Sequence, residues 1–205
     1  MSRLFQAERD RMVEEQIVAR GVRSPEVLRA MRRVPREAFL PAHRSSEAYL
    51  DCPVPLGPGS TLSQPYIVAL MLDALGPVQG KRVLEVGSGC GYVLTLLEEM
   101  GAEAYGIELD DALAQTSRRT LAALGMRAQV KAGDGAEGWP EQSPFDALML
   151  SCATPQIAPG LLAQCTSDAI VVFPEGAANE PQMLIRLQHG HRVALCPVAF
   201  VGLRR

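Results

Sequence analysis

No apolar run in this sequence approaches the length of a membrane-spanning helix, and no signal peptide precedes the first charged segment, so a membrane protein is not expected. There is no C-x-x-C. The five cysteines (Cys52, Cys90, Cys152, Cys165 and Cys196) are odd in number and scattered, which argues against both a disulfide framework and a zinc site; no metal is expected, and a reducing cytoplasm fits best. Histidine is scarce: His43 is isolated, and His189 and His191 straddle a glycine where a hairpin turn is the simpler reading. No general base stands out. Aromatics make up only 5% of the chain, and the single tryptophan, Trp139, lies in a polar, proline-flanked stretch that suits a lid over the core better than a stacking platform. There is also no basic cluster. Residues 1–44 hold ten Arg against six acids, but the two are interleaved as on a solvated helical face, so nucleic acid is not expected as a partner. No internal repeat or low-complexity tract appears.

What is present is one domain's worth of core: 205 residues, 47% hydrophobic. The chain is organised around Lys81-Arg-Val-Leu-Glu-Val-Gly-Ser-Gly-Cys-Gly-Tyr92. Residues 82–86 read as a short buried strand, Gly87, Gly89 and Gly91 follow at alternate positions, and 94–100 continues as an apolar helix. Strand, glycine turn and helix together begin a doubly wound α/β sheet, with helix N-terminal N–H groups facing the crevice above the strand ends. The spacing differs from the G-x-G-x-x-G of dinucleotide folds, which disfavours an NAD-type dehydrogenase. An acid before the first glycine, Glu85, is unhelpful to a pyrophosphate but suits a ligand with a cationic end, such as the amino group of S-adenosylmethionine. Glu108, ending the next apolar stretch about 20 residues on, is placed to accept from ribose hydroxyls. Asp134, between Gly133 and Gly135 beyond a third strand, falls on the same rim and is able to accept from an adenine amine; a plain Asp-Gly turn is the alternative.

Around this centre the expected elements are a helix over 5–20 stopped by Gly21, a second begun by Ser24-Pro25 and ended at Pro35, and a loop-rich stretch over 40–64 leading to a helix over 67–75. The helical pair carries no chemistry of its own in this reading. A loop that long inside a compact domain is usually functional, and its Thr61, Ser63 and Gln64 read equally well as helix-capping groups or as site groups. Further strands are expected over 104–108, 127–131, 145–150 and 169–173, the last ended by Pro174. A helix capped by Asp110 should run to about Leu124, and an antiparallel pair over 183–187 and 193–200 should close the chain.

These residues carry a resemblance to the protein-L-isoaspartate (D-aspartate) O-methyltransferases. It rests on Val34-Pro-Arg-Glu-Ala-Phe39-Leu-Pro41, Ala48-Tyr-Leu-Asp51, Pro55-Leu-Gly57, Thr61-Leu-Ser-Gln-Pro65, the glycine run, Gly133-Asp-Gly135 and Pro144-Phe-Asp-Ala147, and spans about residues 12–200. The resemblance implies a mostly parallel, seven-stranded class I methyltransferase (Rossmann-like) sheet in a single domain, with residues 1–64 as the N-terminal helices and substrate loop and 65–205 as the cofactor-binding core. It implies S-adenosyl-L-methionine along the glycine rim that includes Gly89: Glu85 and Gly87 at its methionine end, Glu108 at the ribose, Asp134 and Gly135 at the adenine. Ser63 matches the family's active-site serine, with Thr61 and Gln64 lining the same loop. The implied substrate is the α-carboxylate of L-isoaspartyl residues in aged proteins, the ester then closing to a succinimide; the sequence does not give the oligomeric state, and a monomer is favoured. The chain departs from the family pattern at Ser167-Asp168, at Glu175 and in the tail 198–203. The changed tail keeps open a methyltransferase for a small molecule or another carboxylate; a non-catalytic S-adenosylmethionine-binding module is the reading from a different class.

Overall fold

The computed structural model describes residues 5–57 and 59–204. Met1–Leu4, the start of the polar N-terminus, Pro58 of the long loop and Arg205 lie outside the described residues.

The helix expected over 5–20 forms but changes its winding: α1 (Gln6–Arg11) runs into a π segment, Met12–Ile17, and one 3-10 turn, Val18–Arg20. Met12 and Ile17 are both buried. Five residues apart, they would point about 140° from each other on a regular α-helix, and the wider turn brings them toward one face. Helix α2 (Pro25–Arg33) begins with Ser24 accepting from the Val27 amide at 3.3 Å and stops where Val34, held extended before Pro35, leaves the helix. The stretch 40–64 is more ordered than a loop. A 3-10 segment, Ala42–Glu47, leads to an antiparallel hairpin of β1 (Val54–Gly57) and β2 (Ser60–Leu62), and α3 (Pro65–Leu75) follows directly.

The remaining elements are β3 (Arg82–Val86), α4 (Tyr92–Glu99), β4 (Glu103–Glu108), α5 (Asp111–Ala123), β5 (Gln129–Ala132), β6 (Phe145–Leu150), α6 (Pro159–Leu162), β7 (Cys165–Glu175), β8 (Gln182–Gln188) and β9 (His191–Val198). β5 starts two residues later than expected because the Arg127 and Ala128 amides bond to the Glu98 carboxylate, at 2.8 and 2.9 Å, rather than to a strand. β7 does not end at Pro174. Its carbonyl accepts from the Thr154 amide, so the position of its missing N–H also faces away from β8, and the antiparallel ladder runs on to Glu175. The closing pair turns at His189 (φ +49°) and Gly190 (φ +75°), a two-residue hairpin connection.

The sheet has seven strands in the order β5-β4-β3-β6-β7-β8-β9. β3 to β7 run parallel, and β8 and β9 turn back against them. The chain leaves β3 toward β4 and β5, then returns to β6 on its other side. The switch point where ligands bind in such sheets therefore lies at the carboxyl ends of β3 and β6.

Alternate residues feed two cores. Val83, Ala147 and Met149 join the large cluster under α2–α5 and the N-terminal segment. Leu84, Val86, Leu148 and Leu150 join a smaller one on the opposite face. That face is thinly covered, by the single turn of α6 and by Trp139, which sits edge-on to Tyr105 at 6.0 Å as a lid on the second core. Among the described residues no helix is long and apolar enough to cross a membrane.

Candidate active site

The carboxyl ends of β3, β4 and β6, the β1–β2 hairpin and residues 197–204 enclose a cleft of about 450 Å³, a size suited to a small-molecule ligand. Thr61, Ser63, Gln64, Gly87, Gly89, Glu108 and Gly135 all line it. Glu85 and Asp134 stand off its wall.

One wall is the glycine turn. Gly87, Gly89 and Gly91 all take positive φ (+76°, +53° and +86°), a conformation costly for other residues. The turn is clamped from β4: Glu108, 6% exposed, accepts from the Gly89 amide at 2.8 Å and from the Asp110 amide at 2.9 Å, one bond to each oxygen. Its carboxylate is thus preoriented, with lone pairs left for a ligand's hydroxyls. A Cβ on Gly89 would meet nothing nearer than Leu56 at 3.9 Å, so the open side of that residue is space a ligand can enter. Gly135 is needed for the opposite reason, since a Cβ there would lie 2.4 Å from Val86.

Glu85 is 1% exposed; one oxygen accepts from the Ser151 hydroxyl at 2.6 Å and the other has no partner. Burial pushes its carboxyl up to about 8, with Glu108 adding to the rise and the Ser151 bond opposing it. Asp134 forms a turn on itself, one oxygen accepting from the Ala136 amide at 2.8 Å. Cys152 also lines the cleft, but burial pushes its thiol up to about 12, so it stays protonated and is no nucleophile.

The facing wall is the hairpin and what holds it. The capping role that Gln64 might have had is not used: its side chain makes no cap bond and instead donates to the Asp51 carboxylate at 2.7 Å. Asp51 is paired in turn with Arg20. Ser63 is half-buried, and its carbonyl accepts from Arg36 at 2.6 Å.

The tail completes the enclosure. Leu203 donates to the Ala153 carbonyl at 2.7 Å, and the Ala153 amide donates to Val201 at 2.8 Å. The buried Gln182 amide grips both backbone groups of Phe200, accepting at 2.7 Å and donating at 3.0 Å. The loop after β6 was expected over this rim, and its Ser151 and Cys152 line the cleft, although neither was singled out as a site residue. The family resemblance makes the tail a shaper of the substrate pocket, and residues 197–204 line the cleft; which distant loop the tail pairs with had no signal in the sequence. The departures Ser167 and Asp168 fall on the exposed part of β7, and Glu175 pairs with Arg192 on the surface.

The donor set fits S-adenosylmethionine. A buried acid with an unpartnered oxygen suits its cationic end, a clamped carboxylate suits its ribose, and a glycine cradle gives it room. None of the three histidines lines the cleft, and among the described residues no group of His, Cys, Asp and Glu is arranged to hold a metal ion.

Comparison with known proteins follows this geometry. The family model for protein-L-isoaspartate(D-aspartate) O-methyltransferase matches residues 7–203. A protein-L-isoaspartate O-methyltransferase of Methylorubrum extorquens (strain PA1) is 48% identical over 202 residues, covering 96% of this chain and 88% of the relative. Among solved structures, a protein-L-isoaspartate O-methyltransferase superposes with a TM-score of 0.84 at 23% identity, covering 96% of this chain and 65% of that one, so this chain spans just under two thirds of its length. A Plasmodium falciparum structure described as a protein-L-isoaspartate O-methyltransferase in complex with S-adenosyl-L-homocysteine has a TM-score of 0.79 at 21% identity and covers 96% and 98% of the two chains. At these identities the structures speak for the fold.

Proposed function

From the premise that this chain belongs to the protein-L-isoaspartate (D-aspartate) O-methyltransferase family, we propose how its own residues carry out the family's reaction. The enzyme transfers a methyl group from S-adenosyl-L-methionine to the α-carboxylate of L-isoaspartyl residues in damaged proteins. Family membership sets aside the dehydrogenase and the non-catalytic module. The observation that carries the reading is the meeting, in one cleft, of the Ser63 hairpin with the Gly87–Gly89 turn and Glu108.

When bound, the cofactor supplies an electrophilic methyl group on a cationic sulfur. Glu108 would take the ribose hydroxyls, Gly87 and Gly89 would line the methionine end with Glu85 behind them, and Gly135 would line the adenine with Asp134 behind it. Ser63 donates its hydroxyl hydrogen to one oxygen of the acceptor carboxylate and so aims the other at the methyl group; Thr61 and Gln64 line the same wall. No base is required, because a carboxylate with a pKa of about 4 is already ionised near neutral pH. One oxygen lone pair forms the new O–C bond as the C–S bond breaks, and opposite charges neutralise in the step. Positioning in a water-poor cleft is then the main lever.

In this reading a single domain does both tasks, residues 1–64 presenting the acceptor and 65–205 the donor. We place the enzyme in a reducing cytoplasm on the strength of its five unpaired cysteines, acting as a monomer without nucleic acid. The deciding experiment is incubation with methyl-labelled cofactor and an isoaspartyl peptide beside its aspartyl twin. Label should enter only the first; equal or absent labelling rejects the reading.

A further inference from the structure

Arg36 is fully buried, 0% exposed, yet no carboxylate pairs with it among the described residues. Its neighbour Glu37 is engaged elsewhere, by Arg9 at 3.1 Å and by the Tyr49 hydroxyl. Arg36 spends its donors on main-chain carbonyls: Nε on Ala48 at 2.7 Å, and Nη2 on Ser63 at 2.6 Å and more weakly on Leu62 at 3.5 Å. Its carbon centre lies 5.0 Å from the Tyr92 ring centroid, and among the described residues Nη1 has no hydrogen-bond partner. A buried cation lacking an anion is expensive, and dipoles and a ring offset only part of that cost.

The place where this cation is kept is informative. It holds the backbone of Ser63, a residue that lines the cleft. Across that cleft stands Glu108, an acid that would repel an incoming carboxylate, while Glu85 lies buried behind the wall. We propose that Arg36 is a positioning residue for the methyl acceptor: its guanidinium fork sets the Ser63 main chain, and its unneutralised charge is the protein's counterweight to the acceptor carboxylate. This rests on the carboxylate-methylating reading above. It makes the N-terminal addition part of the acceptor site, although α1 and α2 themselves line none of the cleft.

Arg36→Lys keeps the charge and loses the fork; Arg36→Gln loses both. Expected is a fall in kcat/KM for the isoaspartyl peptide of roughly 10-fold for Lys and about 100-fold or more for Gln. Affinity for S-adenosyl-L-homocysteine by calorimetry should stay within about threefold, since no cofactor-facing bond is touched. If Arg36 acts through Ser63, the Lys substitution should cost far less in a Ser63→Ala background. Amide exchange over residues 60–66 should quicken in Arg36→Lys while that of 82–91 does not. Equal cost in both backgrounds, cofactor affinity falling in step with turnover, or unchanged exchange over 60–66 would each overturn the proposal. Should Arg36→Gln fail to fold, the Lys variant and the Ser63 cycle still decide. Failure of the carboxylate reading itself shows separately, as wild-type protein that labels both peptides alike; exchange and cofactor affinity then judge the Arg36 clamp alone.

Discussion

The two walls of the cleft are built on different plans. On the donor side, the glycine turn is tied to β4 by main-chain bonds, the Gly87 and Ser88 amides donating to the Ile107 carbonyl, and the Gly89 and Asp110 amides, beyond the ends of β3 and β4, both donate to the Glu108 carboxylate. On the acceptor side, Ser63 directly follows a short hairpin outside the main sheet, and side chains from the N-terminal residues hold this segment through Arg36 to Ser63 and through Arg20 to Asp51 to Gln64. A ladder of sheet hydrogen bonds is cooperative and shared, whereas a hairpin hung on single side chains can be loosened one bond at a time. Under the function proposed above, the comparison teaches that donor binding and acceptor placement should be separable.

Four substitutions press on that separation. The largest effect should come from Glu108→Ala, which leaves the Gly89 and Asp110 amides without that acceptor and removes the proposed ribose contact. Charged hydrogen bonds are worth about 1.5–3 kcal/mol each, so affinity for S-adenosyl-L-homocysteine should weaken by about 100-fold or more in calorimetry. Affinity held within a few-fold would break the division of labour. Next, Ser63→Ala should lower turnover by about 10- to 100-fold, the worth of one hydrogen bond to a charged group, with cofactor affinity unchanged. Parallel losses in both would show that the walls are not independent.

A third test is of pH. Burial raises the Glu85 carboxyl from 4.5 to about 8, so its protonated form is the one the cofactor-free fold favours. That contribution is complete below pH 4.5 and is lost as pH rises through about 8. Melting temperature of the cofactor-free protein should therefore carry a downward component across this window, which Glu85→Gln removes. A cationic ligand beside Glu85 favours the carboxylate, so calorimetry near pH 7 in buffers of different ionisation enthalpy should detect proton release on cofactor binding in the wild type and less in Glu85→Gln. The smallest effect is expected at Glu175→Ala, which breaks a surface pair with Arg192: at most about 1 kcal/mol in denaturant melts, and no change in labelling.

How far the walls could be read in advance differs for the same reason that they are built differently. Strand, glycine turn, helix and the acid on the next strand are local patterns with fixed spacing, and each landed where expected. Boundaries slipped where a distant side chain outbid the local preference. Glu98 delayed β5, Thr154 let β7 run past Pro174, and the partnering of Val54 with Leu62 turned a loop into a hairpin. The helical addition looked chemically empty because Arg36 reaches its targets through carbonyl oxygens. Every residue carries a carbonyl, so no side-chain pattern marks the recipients.

The sequence alone was enough to determine the strand order's starting point, the glycine turn and the acids Glu85 and Glu108 beside it, because period, glycine placement and chain spacing act over short distances. Tertiary structure alone decided which acid lines the cleft and which lies buried behind it, how the tail closes the far side through Gln182 and Ala153, and that an arginine with no carboxylate partner among the described residues underlies Ser63. These depend on contacts between segments tens of residues apart, and only the packed sheet brings those segments together.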